Sequence, residues 1–164
     1  MGKDTITILL VDDETQFLES MTKRLTVRGF NVIAVDRGEK ALEAARGQPV
    51  DIALLDLKMP GLDGEQTLKA LKQEHEWIEI IILTGYGSID SAVELTKSGA
   101  YSYLQKPCEW DRLFDVLVEA YKKKVANKMK IGEQRMKEFL ETAANSSPRA
   151  ILEKIRQLDS QERM

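Results

Sequence analysis

The first 120 residues alternate between two hydrophobic patterns. Short apolar runs rich in β-branched residues predict five strands, at 5–11, 31–35, 51–55, 78–83 and 101–104. Between these runs, apolar positions recur every three or four residues and predict five helices, at 15–27, 39–46, 65–74, 88–98 and 109 to about 124. Because strand and helix alternate strictly, the pattern predicts an α/β fold with helices on both faces of a parallel sheet.

Beyond about residue 125 the strand pattern stops and the helical spacing continues. The last predicted helix is therefore expected to continue as a long amphipathic helix, and Lys128 and Gly132 weaken its apolar stripe in the middle. The apolar positions of this helix are Val118, Tyr121, Val125, Met129, Met136, Phe139 or Leu140, and Ala143. Residues 145–148 predict a break, and Pro148 suits the first turn of a short helix that carries Ile151, Leu152, Ile155 and Leu158. We expect one domain over 1–124 and a helical extension over 125–164, without a recognisable output domain.

The amino-acid composition excludes several classes of protein and of metal site. Hydrophobic residues make up 43% of the chain and charged residues 31%, which indicates a folded globular protein. No apolar run approaches the roughly 20 residues of a membrane span, and the N-terminus lacks a signal-peptide pattern, so we expect a cytoplasmic protein without membrane contact. Cys108 and His75 are the only residues of their types, which excludes an internal disulfide, a cysteine cage and a multi-histidine metal site.

The two parts of the chain differ in charge. Residues 1–120 hold 13 Lys and Arg against 21 Asp and Glu, whereas residues 121–164 hold 11 against 6. The run Lys122-Lys123-Lys124 could attract nucleic acid, but the extension lacks interleaved aromatic residues and a recognition motif. DNA binding is therefore not expected, and the apolar stripe of the extension favours packing or self-association, including a homodimer.

Polar residues that could bind a ligand or take part in a reaction follow four of the predicted strands. Asp12 and Asp13 follow the first strand and Asp56 the third, Thr84 ends the fourth, and Lys106 follows the fifth. In a parallel sheet these strand ends meet at one edge, where ligands bind. Three carboxylates held together repel one another, and a hard cation with oxygen ligands relieves that repulsion. The sequence therefore predicts a Mg²⁺ site at this edge.

The same edge suits phosphoryl transfer. Asp56 lies centrally and could attack a phosphoryl group with one carboxylate oxygen while binding metal. Mg²⁺ and the Lys106 ammonium would neutralise the phosphoryl oxygens, and the Thr84 hydroxyl would donate a hydrogen bond to one of them. We interpret this edge as a phosphoryl acceptor site.

Four stretches of this chain resemble the receiver domains of two-component response regulators. They read V-D-D-E at 11–14, D-L-K-M-P-G-L-D-G at 56–64, L-T-G-Y-G at 83–87 and G-A-Y-S-Y-L-Q-K-P at 99–107. The resemblance covers roughly residues 4–124 and lies nearest to receivers of the nitrogen-regulation class. It implies a CheY-like, flavodoxin-like fold with a five-stranded sheet of order 2-1-3-4-5.

The resemblance also implies residue roles. Asp56 would be the phosphoacceptor, with Thr84 and Lys106 stabilising the phosphoryl group and with Thr84 and Tyr103 as the switch pair. Direct Mg²⁺ ligands would be Asp13, Asp56 and the backbone carbonyl of Lys58, while Asp12 would act mainly through water.

These roles predict a signalling switch and not an enzyme. The phosphoryl donor would be a phosphohistidine of a sensor histidine kinase, and the signal would pass to an unknown downstream protein by conformational change and protein contact. Two alternatives remain open. One is a Mg²⁺-dependent phosphohydrolase with Asp56 as nucleophile, although the second Asp that haloacid dehalogenase-type enzymes carry two residues later is Lys58 here. The other is an adaptor that acts through its helical extension.

Overall fold

The computed structural model describes residues 5–85, 87, 89–143 and 147–162. The chain forms two compact units, residues 1–124 and 125–164. The first unit contains five strands, β1 Thr7–Val11, β2 Asn31–Val35, β3 Ile52–Leu55, β4 Glu79–Thr84 and β5 Ser102–Gln105. Its helices are α1 Thr15–Val27, α2 Gly38–Gly47, α3 Gly64–Glu74, α4 Ile89–Lys97 and the first part of α5 Trp110–Ala143, and α6 Pro148–Glu162 lies in the second unit.

The five strands form one parallel sheet of order β2-β1-β3-β4-β5, which confirms the predicted fold class. Val11 pairs with Leu55 across β1 and β3, and Leu55 pairs with Ile82 across β3 and β4. The register therefore brings the residues after β1 and β3 side by side, next to the end of β4.

Helices cover both faces of the sheet, as predicted. Alternate strand residues such as Leu9, Ala53 and Ile80 join buried residues of α2 and α3 in one apolar cluster. The intervening residues, such as Leu10 and Leu54, join buried residues of α1 and α5 in the other. The central strands are buried on both faces, which explains their continuous apolar runs.

Most predicted element boundaries lie within two residues of the observed ones. β4 extends to Thr84, whose carbonyl accepts a hydrogen bond from Lys106 N at 2.8 Å, so the β-type pairing reaches the candidate site. α3 begins at Gly64 because Asp63 caps it: Asp63 Oδ1 accepts from Gln66 N, and Gln66 Oε1 accepts from Asp63 N. Tyr86 and Ser88, which belong to predicted segments, lie outside the described residues.

Ion pairs close the amino-terminal edge of the sheet, opposite the candidate site. Asp51 Oδ2 accepts a hydrogen bond from Thr7 N at 2.8 Å, and Asp51 Oδ1 pairs with the ammonium of Lys124 on α5. Lys123 Nζ lies 3.9 Å from a carboxylate oxygen of Glu79, whose side chain is 6% exposed. Both acidic groups thus receive a cation from the same turn of α5.

The second unit contains the remainder of α5 and α6, and both helices were expected. Met129, Met136 and Leu140 are 61%, 55% and 60% exposed, whereas Ile131 and Phe139 are half-buried. Residues 145 and 146, and the side chains of Ala143, Ile151 and Leu158, lie outside the described residues. No helix in the described part of the chain combines the length and the apolar character that crossing a bilayer requires.

The paired edge predicts a specific loss of stability. Asp51→Ala removes the acceptor of Thr7 N and leaves the half-buried Lys124 ammonium without its carboxylate. Hydrogen bonds to charged groups contribute about 1.5–3 kcal/mol, so we expect the free energy of unfolding in urea to fall by about that amount. The control Asp36→Ala, which removes exposed pairs with Arg37 and Lys40, should change it little. Equal losses in the two variants would contradict this role of Asp51.

Candidate functional site

Three carboxylates meet at the carboxyl edge of the sheet. Asp12 and Asp13 follow β1, Asp56 follows β3, and one oxygen from each lies within 4.8 Å of the others. Asp12 and Asp56 are 1% and 3% exposed, whereas Asp13 is exposed. The structure thus brings together the three acidic residues that the sequence predicted.

Asp12 accepts a hydrogen bond at each of its two carboxylate oxygens. Its Oδ1 accepts a hydrogen bond from Glu14 N at 2.9 Å, and its Oδ2 accepts one from the Lys106 ammonium. Burial raises the pKa of the Asp12 carboxyl above its usual range, and the hydrogen bond from Lys106 opposes that rise. Both oxygens of Asp12 therefore already have protein donors, which suits an indirect contact with a metal ion.

Asp56 presents its two oxygens differently. Oδ1 accepts hydrogen bonds from the Thr84 hydroxyl at 2.6 Å and from Leu57 N at 2.8 Å. Oδ2 receives no hydrogen bond from the part of the chain that the structure describes. One oxygen is thus held in place, and the other is available to a ligand or to an electrophile.

Gly64 keeps the segment after Asp56 close to α3. Its N–H donates to Leu57 O at 2.9 Å, and a β-carbon added to Gly64 would overlap the backbone of Asp56 and Leu57. Only glycine allows this approach. Lys58 lies in the same loop with its side chain exposed.

Thr84 and Tyr103 lie on the neighbouring strands β4 and β5. Thr84 is fully buried at the end of β4 and directs its hydroxyl to Asp56. The Tyr103 ring is half-buried, and burial raises the pKa of its phenol. A β-carbon added to Gly87, whose φ is +136°, would collide with the Tyr103 hydroxyl. In this structure both side chains face inward, with the Thr84 hydroxyl on Asp56 and the Tyr103 hydroxyl next to Gly87.

Lys106 reaches the site from the loop after β5, next to a cis peptide bond to Pro107. Its side chain is 16% exposed, and its ammonium pairs with Asp12. Lys106 Nζ also lies 3.9 Å from the ring centroid of Phe17 on α1. The apolar spacing of α1 predicts Phe17 as a core residue and gives no signal of this contact.

The charge of the cluster fits a divalent cation. Three carboxylates face one ammonium, which leaves two negative charges at an edge where two of the carboxylates are buried. Carboxylate oxygens at this spacing suit a hard cation such as Mg²⁺. Asp13 and Asp56 supply the oxygens that protein donors occupy least.

Most of the chain is similar to known proteins. The family model described as "Response regulator receiver domain" matches residues 8–118. The transcriptional regulatory protein ZraR of Escherichia coli K12 is 39% identical over 120 residues, which cover 73% of this chain and 27% of that protein. ZraR of Klebsiella oxytoca is 34% identical over 155 residues, 94% of this chain and 35% of that protein. The chain thus spans about a quarter to a third of these relatives' length.

Solved structures share the fold. A response regulator receiver domain protein from Clostridium thermocellum superposes with a TM-score of 0.70 at 30% identity and covers 74% of this chain and 98% of that chain. NtrX from Brucella abortus gives a TM-score of 0.73 at 26% identity and covers 80% of this chain and 29% of that chain.

The carboxylate cluster predicts opposite effects of one substitution with and without metal. In Asp13→Asn the metal-free chain should be at least as stable as the parent, because one of three mutually repelling charges is gone. Saturating Mg²⁺ should stabilise the parent, by about 2.7 kcal/mol at 100 times the dissociation constant, and this gain should largely disappear in Asp13→Asn. Thermal unfolding with and without Mg²⁺ measures both effects. Asp115→Asn, on an exposed part of α5, is the control. A Mg²⁺ gain that is the same in all three proteins would contradict the site.

Proposed function

This chain belongs to the response regulator receiver domain family, and we propose that it is a phosphorylation-controlled signalling switch. Asp56 accepts a phosphoryl group from a phosphohistidine of a sensor histidine kinase, in a reaction that depends on Mg²⁺. The observation that carries the proposal is the meeting of three carboxylates with Lys106 and Thr84 at one edge of the sheet.

The proposed reaction uses the two oxygens of Asp56 for different tasks. Thr84 and Leu57 N hold Oδ1, so Oδ2 is the oxygen that attacks phosphorus. The new Oδ2–P bond forms as the bond from phosphorus to the imidazole nitrogen breaks, and the imidazole leaves. The product is an acyl phosphate on Asp56. The Lys106 ammonium offsets charge on the phosphoryl oxygens, and the Thr84 hydroxyl can donate to one of them after leaving Oδ1.

The proposed metal set is Asp13, Asp56 and the backbone carbonyl of Lys58, with Asp12 acting through water. A bound Mg²⁺ would neutralise the phosphoryl oxygens and orient the group for in-line attack. The exposure of Asp13 and the two protein donors on Asp12 support this division of roles.

The signal is proposed to leave through Thr84 and Tyr103. Tyr103 lies on β5 next to β4, so a change at Thr84 can alter the surface formed by α4, β5 and α5. A downstream protein would read that surface. The exposed side chains of Met129, Met136 and Leu140 offer a further contact region in the second unit. Such a region would also serve an adaptor that acts through its helical extension.

Two predictions from the sequence, a phosphohydrolase activity and the absence of DNA binding, gain no support. The phosphohydrolase alternative gains no supporting observation, because Lys58 stands where that chemistry uses a second Asp. The expectation that the protein does not bind DNA also gains no support. The matching relatives are named transcriptional regulatory proteins, and the chain spans only part of their length.

The acceptor role predicts a single site of labelling. With Mg²⁺ and a small-molecule phosphodonor such as acetyl phosphate, intact-mass spectrometry should show one added phosphoryl group on the parent and on the control Asp90→Asn. Asp56→Asn and Asp56→Ala should not be labelled, since the attacking oxygen is gone, and EDTA should abolish labelling of the parent. Equal labelling of the Asp56 variants, or labelling that EDTA leaves unchanged, would refute the assignment.

The switch role predicts that acceptance and response can be separated. Thr84→Ala should still be phosphorylated at Asp56, because the nucleophile and Lys106 remain. It should lose most of the phosphate-dependent change in amide exchange over residues 89–105 and in sedimentation, because no hydroxyl connects the phosphoryl group to β4. Thr84→Ser, which keeps the hydroxyl, should retain the response. A full response in phosphorylated Thr84→Ala would show that the signal leaves by another route.

A further inference from the structure

The Lys106 ammonium lies between a carboxylate and an aromatic ring. On one side it pairs with Asp12, and on the other its Nζ is 3.9 Å from the ring centroid of Phe17. Attraction between a cation and a ring extends to about 6 Å and strengthens where water is excluded. With only 16% of its side chain exposed, Lys106 meets both conditions.

A ring is suited to hold an ammonium at this edge of the sheet. Lysine has a flexible four-carbon stem, so one ion pair leaves the ammonium several rotamers. A further carboxylate would fix it but would add a fourth negative charge to Asp12, Asp13 and Asp56. The face of the Phe17 ring attracts a cation without adding a net charge or competing for a metal ion.

We propose that Phe17 is a positioning residue for phosphoryl transfer to Asp56, since its ring holds the Lys106 ammonium at the carboxylate cluster, against Asp12. The inference rests on the function proposed above and adds a residue to it. Phe17 does not touch the reacting atoms and acts through Lys106.

Packing alone is the competing explanation for Phe17. Its side chain is half-buried against the apolar cluster of α1 and α5, and it lines an open cleft of about 660 Å³ together with Met21, Leu83 and Leu113. Leucine would preserve the apolar contacts and remove the ring. The open cleft leaves room for tryptophan, which keeps a cation-binding face. These two substitutions therefore separate packing from positioning.

The kinetic test uses the full chain, Mg²⁺ and acetyl phosphate, so that no kinase contact with α1 contributes. Phe17→Leu should slow labelling of Asp56 by about 3- to 30-fold, the range that a cation–ring contact of this kind implies. Phe17→Trp should stay within about twofold of the parent. The matched control is Phe30→Leu, because Phe30 packs in the same apolar cluster with its ring against Phe114; its rate should not change. If Phe17→Leu does not fold, Phe17→Met makes the same test.

Two further readouts identify Lys106 as the intermediary. In the Lys106→Met background, Phe17→Leu should cause no additional slowing, since coupled residues are not additive. In the parent, the ring current of Phe17 should move the Lys106 ε-methylene proton resonances upfield. That shift should persist in Phe17→Trp and disappear in Phe17→Leu.

The outcomes distinguish this inference from the function on which it rests. If the parent is not labelled at Asp56, the proposed function fails, and the role of Phe17 fails with it. If the parent is labelled and Phe17→Leu matches its rate, or slows Lys106→Met further, only the role of Phe17 is overturned. Slowing by Phe17→Leu together with unchanged Lys106 resonances would likewise overturn it in favour of packing.

Discussion

Repulsion among the carboxylates of Asp12, Asp13 and Asp56 is the constraint around which the carboxyl edge of the sheet is arranged. Two of the three are almost fully buried, where like charges interact most strongly. Backbone N–H groups, one hydroxyl and one ammonium lie against them and offset part of that repulsion. The remainder is not offset by the described residues, so the edge stays receptive to a divalent cation. The unbalanced charge that prepares this edge for a metal ion therefore opposes the stability of the metal-free fold.

The opposite edge of the sheet shows what balanced charge does. There Asp51 and Glu79 each receive a lysine ammonium from α5, and Asp51 also accepts from Thr7 N. Each of these two acidic groups has a cation, so neither needs a metal ion to offset its charge. The same strands thus end in a paired, structural edge on one side and an acidic edge on the other. The paired edge holds the first part of α5, up to Lys124, against the sheet, while the acidic edge stays open to a ligand.

Sequence patterns predicted the fold and the members of the site because both follow from local order along the chain. Strict alternation of strand and helix determines a parallel sheet, and a parallel sheet brings its strand ends together. Contacts between distant residues gave no such signal. Lys124 and Asp51 are separated by 73 positions, and Phe17 carries the apolar spacing of an ordinary core residue. The inward orientation of the Thr84 and Tyr103 side chains could not be predicted either, because periodicity does not specify a side-chain rotamer.

The hydrogen bond from Thr84 to Asp56 limits how a phosphoryl group can act on this fold. A hydroxyl has one hydrogen to donate, and Thr84 already donates it to Asp56 Oδ1. Phosphorylation would therefore exchange one acceptor for another and would not add a hydrogen bond. The exchange is favourable because formation of the acyl phosphate removes the charge of the carboxylate, whereas the phosphoryl oxygens carry charge and accept more strongly. Since Tyr103 can lie against Gly87 without any phosphoryl group, the inward arrangement is accessible to the unmodified chain. Phosphorylation would then act by increasing the population of an arrangement that the fold already permits, and the size of the response would depend on how often the unmodified chain adopts it.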